Sequence, residues 1–307
     1  MSNQPAAPAH MIVNGRLVDY REATVHLMSP ALRYGLNVFE GLRAYWNETE
    51  QQLYVFRLQE HLQRLSQSMK LLRFDPQFET EEVAENTFEL LRANTVREQC
   101  HLRISAYIEG DGEHHVSGPV SYFVAAKIRP RSPKTETGIR CRISTWVRMA
   151  DSAMPPRIKC GANYVNARLA RYEAHHDGYD DAIMLNGAGR VAEGPGACVF
   201  MVRRGALVTP PITDGILESI TRDTLIELAT DNGITVVERS IDRTELYACE
   251  ELFMAGSAAE VLPVTEVDGV AVGDGQVGAI TTLLQDVYFA TVIGQTNSNK
   301  AWLCSVY

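Results

Sequence analysis

One lysine lies where the chain turns, and its neighbours favour a reactive amine. Lys159 follows Ile158 and precedes the small-residue run Cys160–Ala162. Pro155 and Pro156 stop a helix from reaching it from the N-terminal side. Burial against apolar groups disfavours the ammonium form, and a neutral lysine amine attacks carbonyl carbon. Because most lysines are ordinary surface residues, other groups must support this interpretation.

Four other segments offer groups that bind anions or hold a charge. Glu193 precedes Gly-Pro-Gly inside a strand pattern, which marks a bulge or a close backbone approach. Arg57 lies where a predicted strand meets an amphipathic helix, a common place for a ligand-binding residue, although a surface arginine is the simpler interpretation. A helix predicted to begin near Ile220 and Thr221 offers amides to a phosphate, and the small-residue turn at 256–259 offers amides to an anion.

A strand pattern over residues 101–108 gathers polar side chains on one face. Apolar residues occupy the alternate positions, so His101, Arg103, Ser105 and Tyr107 share the opposite face. This face suits an anionic ligand. A solvated sheet face would carry the same residues, so both interpretations stay open.

These groups together match the requirements of a pyridoxal 5′-phosphate site. Lys159 would form a Schiff base with the aldehyde, and Glu193 would keep the pyridine nitrogen protonated so that the ring withdraws electrons. The phosphate needs an arginine, here Arg57, and the start of a helix, here near Ile220. The phenolic oxygen needs a donor, and Tyr164 follows closely after the lysine. The sequence therefore predicts a pyridoxal phosphate enzyme.

The secondary-structure pattern predicts two α/β domains. Residues 1–128 form the first, and residues 138–307 form a C-terminal domain that carries Lys159. Between them, residues 129–137 are rich in proline, serine and charge, as expected of an interdomain loop. Within these domains we predict a hairpin at 11–18, helices beginning near Leu58, near Thr80 and after Lys159, strands at 139–147 and 191–200, and a final helix over 277–293.

Composition excludes several classes of protein. The chain has 307 residues, 45% of them hydrophobic and 22% charged, as is typical of a globular protein with a sizeable core. Its net charge of −9 argues against a nucleic-acid partner. The six cysteines show no zinc-binding spacing, so we expect no metal site and a reducing compartment. Residues 1–8 are a predicted polar tail rather than a signal peptide, and no apolar run reaches transmembrane length. We therefore expect a soluble, cytoplasmic protein without a membrane partner.

Seven short motifs resemble those of the fold-type IV pyridoxal phosphate enzymes, and specifically the branched-chain amino acid aminotransferases. The resemblance extends from about Met11 to the final helix, which is nearly the whole chain. Each motif is weak evidence alone, whereas all seven occur in the family's order and at similar spacing. The motifs are Ser29–Gly35, Val38–Arg43, Val55–Arg57, Lys159–Tyr164, Glu193–Gly196, Ile220–Asp223 and Gly256–Glu260.

The resemblance implies a fold, a reaction and partners. The family fold is of α/β (α+β) type, similar to D-amino acid aminotransferase, with two domains and the cofactor between them. Members are homodimers at least, because the neighbouring subunit completes each pocket. The implied reaction exchanges an amino group between an L-amino acid, branched-chain or related, and a 2-oxo acid such as 2-oxoglutarate.

The resemblance also implies a role for each candidate residue. Lys159 would form the Schiff base and move the proton between the substrate Cα and the cofactor. The other implied roles are the pyridine-nitrogen partner Glu193, the phenolic-oxygen partner Tyr164, the phosphate contacts Arg57, Ile220, Thr221 and Ser257, the pocket wall Tyr34, Phe39 and Gly41, the distal-carboxylate residue Arg103 with His101 near the substrate, and the α-carboxylate turn Ala258 and Ala259.

Four departures from the family pattern concern the substrate side. His101 replaces a tyrosine, the loop at 129–134 is shorter and basic, Ser219 replaces a glycine, and Cys198 replaces an asparagine. Because the cofactor residues match while these differ, we predict a specialised aminotransferase for an unusual or more polar amino acid.

Other functions stay open at this point. A D-amino acid aminotransferase, an amine transaminase or an aminodeoxychorismate lyase would use the same lysine and glutamate. The motifs at Tyr34, at 39–41 and at 256–259 favour the branched-chain branch over these. A binding protein that has lost its cofactor is a further alternative outside catalysis.

Overall fold

The computed structural model describes residues 8–296 and 298–307, which divide into two compact units. The first unit comprises the chain up to Arg131, together with Ile158–Ala162 and Ala290–Tyr307. The second comprises Ser132–Arg157 and Asn163–Phe289. The predicted polar tail at residues 1–8 lies almost entirely outside the described residues.

The described residues alternate between strands and helices, which confirms a mixed α/β chain. The strands are β1 (His10–Val13), β2 (Arg16–Asp19), β3 (Asn37–Asn47), β4 (Gln52–Phe56), β5 (Cys100–Ile108), β6 (Val120–Ile128), β7 (Ile139–Ile143), β8 (Asp181–Ile183), β9 (Cys198–Arg203), β10 (Ala206–Thr209), β11 (Val236–Glu238), β12 (Glu251–Gly256), β13 (Glu260–Val267), β14 (Val270–Ala271) and β15 (Leu303–Ser305). The α-helices are α1 (Pro30–Tyr34), α2 (Leu58–Leu71), α3 (Thr80–Ala93), α4 (Lys134–Thr137), α5 (Gly161–His176), α6 (Ile220–Asp231) and α7 (Ala279–Val292).

The first unit is built on a seven-stranded antiparallel sheet in the order β15-β4-β3-β5-β6-β1-β2. The alternation predicted for β5 is confirmed, because Leu102 and Ile104 are fully buried while Arg103 lies on the other face. In register, Gly41 of β3 lies opposite Arg103, and Arg43 lies opposite His101. These residues therefore share one face of the sheet.

The second unit contains a mixed sheet in the order β11-β10-β9-β12-β13-β7-β8, with β14 paired to β13. The outer pairs β10–β11, β13–β7 and β7–β8 are parallel, and the central pairs are antiparallel. Its central strands β9 and β12 are almost entirely buried, and they bring Phe200 and Phe253 into a stacked pair with centroids 5.1 Å apart.

Helix α5 buries its small residues rather than its large apolar ones. Ala167, Ala170 and Ala174 face the unit, whereas Val165 and Tyr172 are 62% and 66% exposed. Small side chains let a helix approach its neighbours closely, and the larger apolar residues of α5 therefore lie on its outer face. Gly178 follows the helix with φ of 83°, as predicted for its C-terminal end.

Several predicted boundaries differ from the structure. The strand predicted at 139–147 ends at Ile143, and the one predicted at 191–200 begins only at Cys198, because Gly-Pro-Gly before it does not sustain a ladder. The predicted domain division stays a prediction. Contacts assign 158–162 to the first unit because Lys159 and Cys160 pair with the edge of β3, and they assign 290–307 to it because β15 pairs with β4.

Among the described residues, no helix combines the length and the hydropathy needed to cross a membrane.

Candidate active site

Lys159 is buried and its backbone is held from two sides. Lys159 is only 9% exposed, and its backbone N–H donates to the Ser68 hydroxyl at 3.2 Å. Its carbonyl accepts the N–H of Phe39 at 2.8 Å. The Lys159 Nζ lies 5.0 Å from the centroid of the Phe39 ring. The lysine therefore projects from a fixed backbone against an aromatic face.

The same ring carries the predicted distal-carboxylate residue. The Arg103 guanidinium carbon lies 3.3 Å from the centroid of Phe39, and Arg103 Nε donates to the Ser105 hydroxyl at 3.0 Å. Stacking and hydrogen bonding fix the plane of the guanidinium, which suits it to bind a carboxylate. The structure thus brings Lys159 and Arg103 to one aromatic side chain, as the sequence could not have shown.

His101 lies beside this arginine in a cationic environment. Burial, followed by the charges of Arg129, Arg43 and Arg103, lowers the pKa of His101 to about 4. The ring is therefore neutral at neutral pH. A Cβ on Gly41 would lie 3.1 Å from His101 Nε2, so glycine leaves the room that the imidazole occupies.

A buried ion cluster beneath the site was missed by the sequence prediction. The Glu40 carboxylate meets His61 Nδ1 at 2.7 Å and binds Arg64 through both oxygens at 2.7 and 2.8 Å. Burial is the largest influence and raises the pKa of Glu40, but Arg64 and His61 outweigh it and hold the pKa at about 2. His61, Arg64 and Ser68 recur at helical spacing on α2, and that spacing was the signal available in the sequence.

Arg57, the predicted phosphate contact, lies at the N-terminal end of α2. It caps the helix in a left-handed conformation, its guanidinium stacks 4.9 Å from the Trp302 ring centroid, and its Nε donates to Glu60 at 2.8 Å. Arg64, by contrast, is one helical turn from Ser68, whose hydroxyl binds the backbone of Lys159. The role of Arg57 as a phosphate contact stays a prediction, and the Arg64 guanidinium is already bound by the Glu40 carboxylate.

In the second unit, Glu193 is held as a buried carboxylate. Its Oε1 lies 2.8 Å from Arg148 Nη2, and its Oε2 accepts the N–H of Leu217 at 3.3 Å. The close approach predicted after it is confirmed, because a Cβ on Gly194 would lie 3.0 Å from the Met254 sulfur. Arg148, which the sequence prediction missed, favours the ionised carboxylate that a pyridine nitrogen needs.

Two predicted anion-binding backbones lie near Glu193 in this unit. Helix α6 begins at Ile220 and Thr221, both buried, after Ser219 caps it by accepting the N–H of Arg222 at 3.2 Å. The turn between β12 and β13 contains Ser257, Ala258 and Ala259, as predicted.

The two predicted tyrosines are half exposed. Tyr164 lies 37% exposed in the first turn of α5. Tyr34 ends α1, where its hydroxyl donates to Glu113 at 2.9 Å and accepts from Arg33 at 2.7 Å. The structure therefore places Tyr34 against charged surface groups.

Comparison with known proteins identifies the family of the chain. A family model described as Amino-transferase class IV matches residues 37–267. The chain is 38% identical to the probable branched-chain-amino-acid aminotransferase of Aquifex aeolicus, over 95% of each chain. It is 43% identical to the branched-chain aminotransferase of Thermoproteus uzoniensis solved with norvaline, with a TM-score of 0.94 over 98% of this chain and 100% of that one. The enzyme of Thermobaculum terrenum in its PLP form is 41% identical, with a TM-score of 0.93 over 98% and 99%.

Proposed function

This chain belongs to the class IV aminotransferases, and we propose that it exchanges amino groups between an L-amino acid and a 2-oxo acid such as 2-oxoglutarate with pyridoxal 5′-phosphate as cofactor. The amino acid is branched-chain or a related one. The observation that carries this proposal is the buried Lys159, whose backbone is fixed by Ser68 and Phe39 and whose amine lies on an aromatic face.

The described residues fit the proposed cofactor. Lys159 supplies the amine for a Schiff base, and Arg57 at the start of α2 is the proposed phosphate contact. In the second unit, Glu193 lies against Arg148, and its carboxylate would accept a hydrogen bond from the protonated pyridine nitrogen. The first amides of α6 suit a phosphate. When bound, pyridoxal phosphate supplies the carbonyl and the electron sink for amino transfer.

Individual residues of the chain have distinct proposed roles in the reaction. The Lys159 amine would take the proton from the substrate Cα and deliver it to the cofactor carbon, which is general acid–base catalysis. The amides at Ala258 and Ala259 would bind the α-carboxylate. Arg103 would bind the distal carboxylate of glutamate or 2-oxoglutarate, because its guanidinium is already oriented by Phe39 and Ser105.

The finer substrate preference follows from His101. A neutral imidazole among Arg43, Arg103 and Arg129 offers hydrogen bonds where an aliphatic side chain gains none. We therefore propose that polar or acidic amino acids are accepted beside the branched-chain ones. Replacing His101 with phenylalanine should lower activity with glutamate by about tenfold and leave activity with leucine within about threefold. Equal losses with both donors would contradict this preference.

The assembly we propose is a homodimer or a higher homo-oligomer. The outer face of α5 presents Val165, Leu169 and Tyr172, and Asn166 Nδ2 donates to the Val147 carbonyl at 3.1 Å, which brings the exposed Trp146–Val147 segment beside it. Such a cluster of apolar side chains is typical of a surface that a second copy covers.

The test of the proposed function combines spectroscopy with chemical trapping. Purified protein with pyridoxal phosphate should show a visible absorption band that shifts on addition of leucine, isoleucine, valine or glutamate. Reduction with borohydride should attach the cofactor to the peptide that contains Lys159. Lys159→Ala should abolish both, whereas Lys70→Ala, a change at an exposed lysine of α2, should abolish neither. A response to D-amino acids alone would refute the proposal.

A further inference from the structure

The C-terminal segment, Lys300–Tyr307, packs against the arginine that is the proposed phosphate contact. Its strand β15 pairs with β4 so that Leu303 lies opposite Phe56. The same register brings Trp302, one residue before Leu303, beside Arg57. The rings of Phe56 and Trp302 meet edge to face, with centroids 5.9 Å apart. All of these residues belong to the first unit.

Trp302 contacts both the backbone and the side chain of Arg57. The Arg57 N–H donates to the Trp302 carbonyl at 2.6 Å, and the guanidinium carbon lies 4.9 Å from the centroid of the Trp302 ring. Arg57 Nε donates to Glu60 at 2.8 Å, so a phosphate would meet the terminal nitrogens of the guanidinium. An indole ring on one face and a carboxylate on one edge therefore limit the orientation of this group.

The backbone of Arg57 depends on contacts of this kind. Its φ of 51° and ψ of 40° lie in the left-handed region, which a residue with a side chain adopts only where its surroundings impose it. The Trp302 carbonyl binds the N–H of Arg57, and the Arg57 carbonyl accepts the N–H of His61 at 3.2 Å. This conformation sets the direction in which the Arg57 side chain leaves the start of α2.

The far end of the C-terminal segment is anchored independently of the Trp302 ring. Gln52 Oε1 accepts the backbone N–H groups of Val306 and Tyr307 at 3.1 and 2.8 Å. The Tyr307 hydroxyl donates to the Val96 carbonyl at 2.8 Å. Removing the ring of Trp302 should therefore leave the segment in place.

We propose that Trp302 is a positioning residue for the cofactor phosphate, because it holds the backbone and the guanidinium of Arg57 in the orientation that binds this group. The inference rests on the proposed function, since it assumes that Arg57 contacts the phosphate. Trp302 itself does not need to touch the cofactor. The C-terminal segment is then part of the phosphate site through Arg57.

The test measures binding of two ligands that differ only in the phosphate. The full chain, freed of cofactor, is titrated by calorimetry with pyridoxal 5′-phosphate and with pyridoxal. Trp302→Leu keeps the backbone carbonyl and removes the aromatic ring. It should weaken pyridoxal phosphate by about three- to tenfold, the effect of one cation–π contact, and change pyridoxal by less than about twofold. Trp302→Phe retains a smaller aromatic face and should weaken pyridoxal phosphate by less than about threefold.

A double substitution tests whether Trp302 acts through Arg57. Arg57→Gln should itself weaken pyridoxal phosphate selectively, because it removes the proposed phosphate contact. Adding Trp302→Leu to Arg57→Gln should then change the dissociation constant of pyridoxal phosphate by less than about twofold, since the two residues are coupled.

Trp46→Leu is the matched control. Trp46 is the other tryptophan of the first unit, and its ring lies edge to face with Tyr307 at 6.1 Å and within 6.0 Å of the Arg97 guanidinium. This substitution therefore removes an aromatic contact with the same C-terminal segment and a contact with a different arginine. It should leave both dissociation constants within about twofold of those of the natural chain.

The outcomes are distinguishable. Equal weakening of both ligands by Trp302→Leu, or no weakening of either, would overturn the positioning role. A full effect of Trp302→Leu in the Arg57→Gln chain, or the same selective loss from Trp46→Leu, would also overturn it. An unaltered chain that binds neither ligand would overturn the proposed function itself.

Discussion

Replacing Glu40 with glutamine tests how strongly the buried ion cluster stabilises the first unit. Burial raises the pKa of this carboxyl, yet Arg64 and His61 outweigh burial, and the pKa is about 2 rather than the ordinary 4.5. The difference, 4.5 − 2, is about 2.5 units and corresponds to a stabilisation on the order of 3 kcal/mol at neutral pH. Because the substitution also leaves the Arg64 guanidinium buried without its anionic partner, we expect Glu40→Gln to lower the free energy of unfolding by about 3–5 kcal/mol.

The pH dependence of that loss follows from the direction of the pKa shift. A depressed pKa means that the folded state favours the ionised carboxylate of Glu40. Its stabilisation is therefore complete above about pH 5 and is lost as the pH falls toward 2. The contribution of the carboxylate should decline from about 3 kcal/mol at pH 7 to about 2 kcal/mol at pH 3.5.

The assay is guanidinium unfolding of cofactor-free protein, so that ligand binding does not add to stability. Both proteins carry Trp146→Phe, because the remaining tryptophans, Trp46 and Trp302, lie in the first unit and then report on it alone. The comparison is repeated with His61→Asn in both proteins, since burial lowers the pKa of His61, which contacts the Glu40 carboxylate.

A matched control and a double substitution decide the interpretation. Glu85→Gln, at an exposed position of α3, should change stability by less than about 0.5 kcal/mol. Adding Arg64→Met to Glu40→Gln should restore part of the loss, because the buried cation that has lost the Glu40 carboxylate is removed. A loss below about 1 kcal/mol at pH 7, or one that stays constant down to pH 3.5, would refute the reasoning.

Three further predictions concern the site and the assembly. Gly41→Ala should displace the His101 ring, raising KM for glutamate several-fold while kcat for leucine stays near its natural value, as steady-state kinetics would show. Arg148→Met should lower kcat by about tenfold or more, since it removes a charged hydrogen bond from buried Glu193, and kcat measured over a series of pH values tests this. Arg148→Lys should restore part of the lost kcat. Unchanged kinetics would exclude the pairing of Arg148 with Glu193. Val165→Glu should shift the protein toward monomer in sedimentation velocity, and an unaltered sedimentation coefficient would place the interface elsewhere.

The periodicity of the sequence predicted the helices and strands of the fold, but it does not show which face of a helix is buried, because that depends on tertiary packing. The alternation of β5 fixed which side chains share a face with Arg103, because a strand has a strict period of two. On α5, by contrast, alanines face the unit, and Val165 and Tyr172 face outward. Hydrophobicity alone cannot show which side of a helix has close neighbours.

The different surroundings of two arginines show a second limit of prediction from the sequence. Arg57 and Arg64 lie two turns apart on one helix, so sequence spacing alone places both on the same side of α2. What separates them is tertiary: Trp302, from the C-terminal segment, stacks on Arg57, and the Lys159 segment meets Ser68 near Arg64. Neither contact is local in sequence, and neither leaves a periodic signal.

The run Phe39-Glu40-Gly41 connects the buried ion cluster of Glu40 to the site residues Lys159 and Arg103. Strand alternation sends Phe39 and Gly41 to one face of β3 and Glu40 to the other. On the first face, Phe39 lies against Arg103 and Lys159; on the second, Glu40 is bound by two side chains of α2. Because the same backbone carries both, fixing Glu40 also fixes the Phe39 amide that holds the Lys159 carbonyl. The buried ions thus stabilise the position of Lys159, the proposed reactive amine, as well as the first unit.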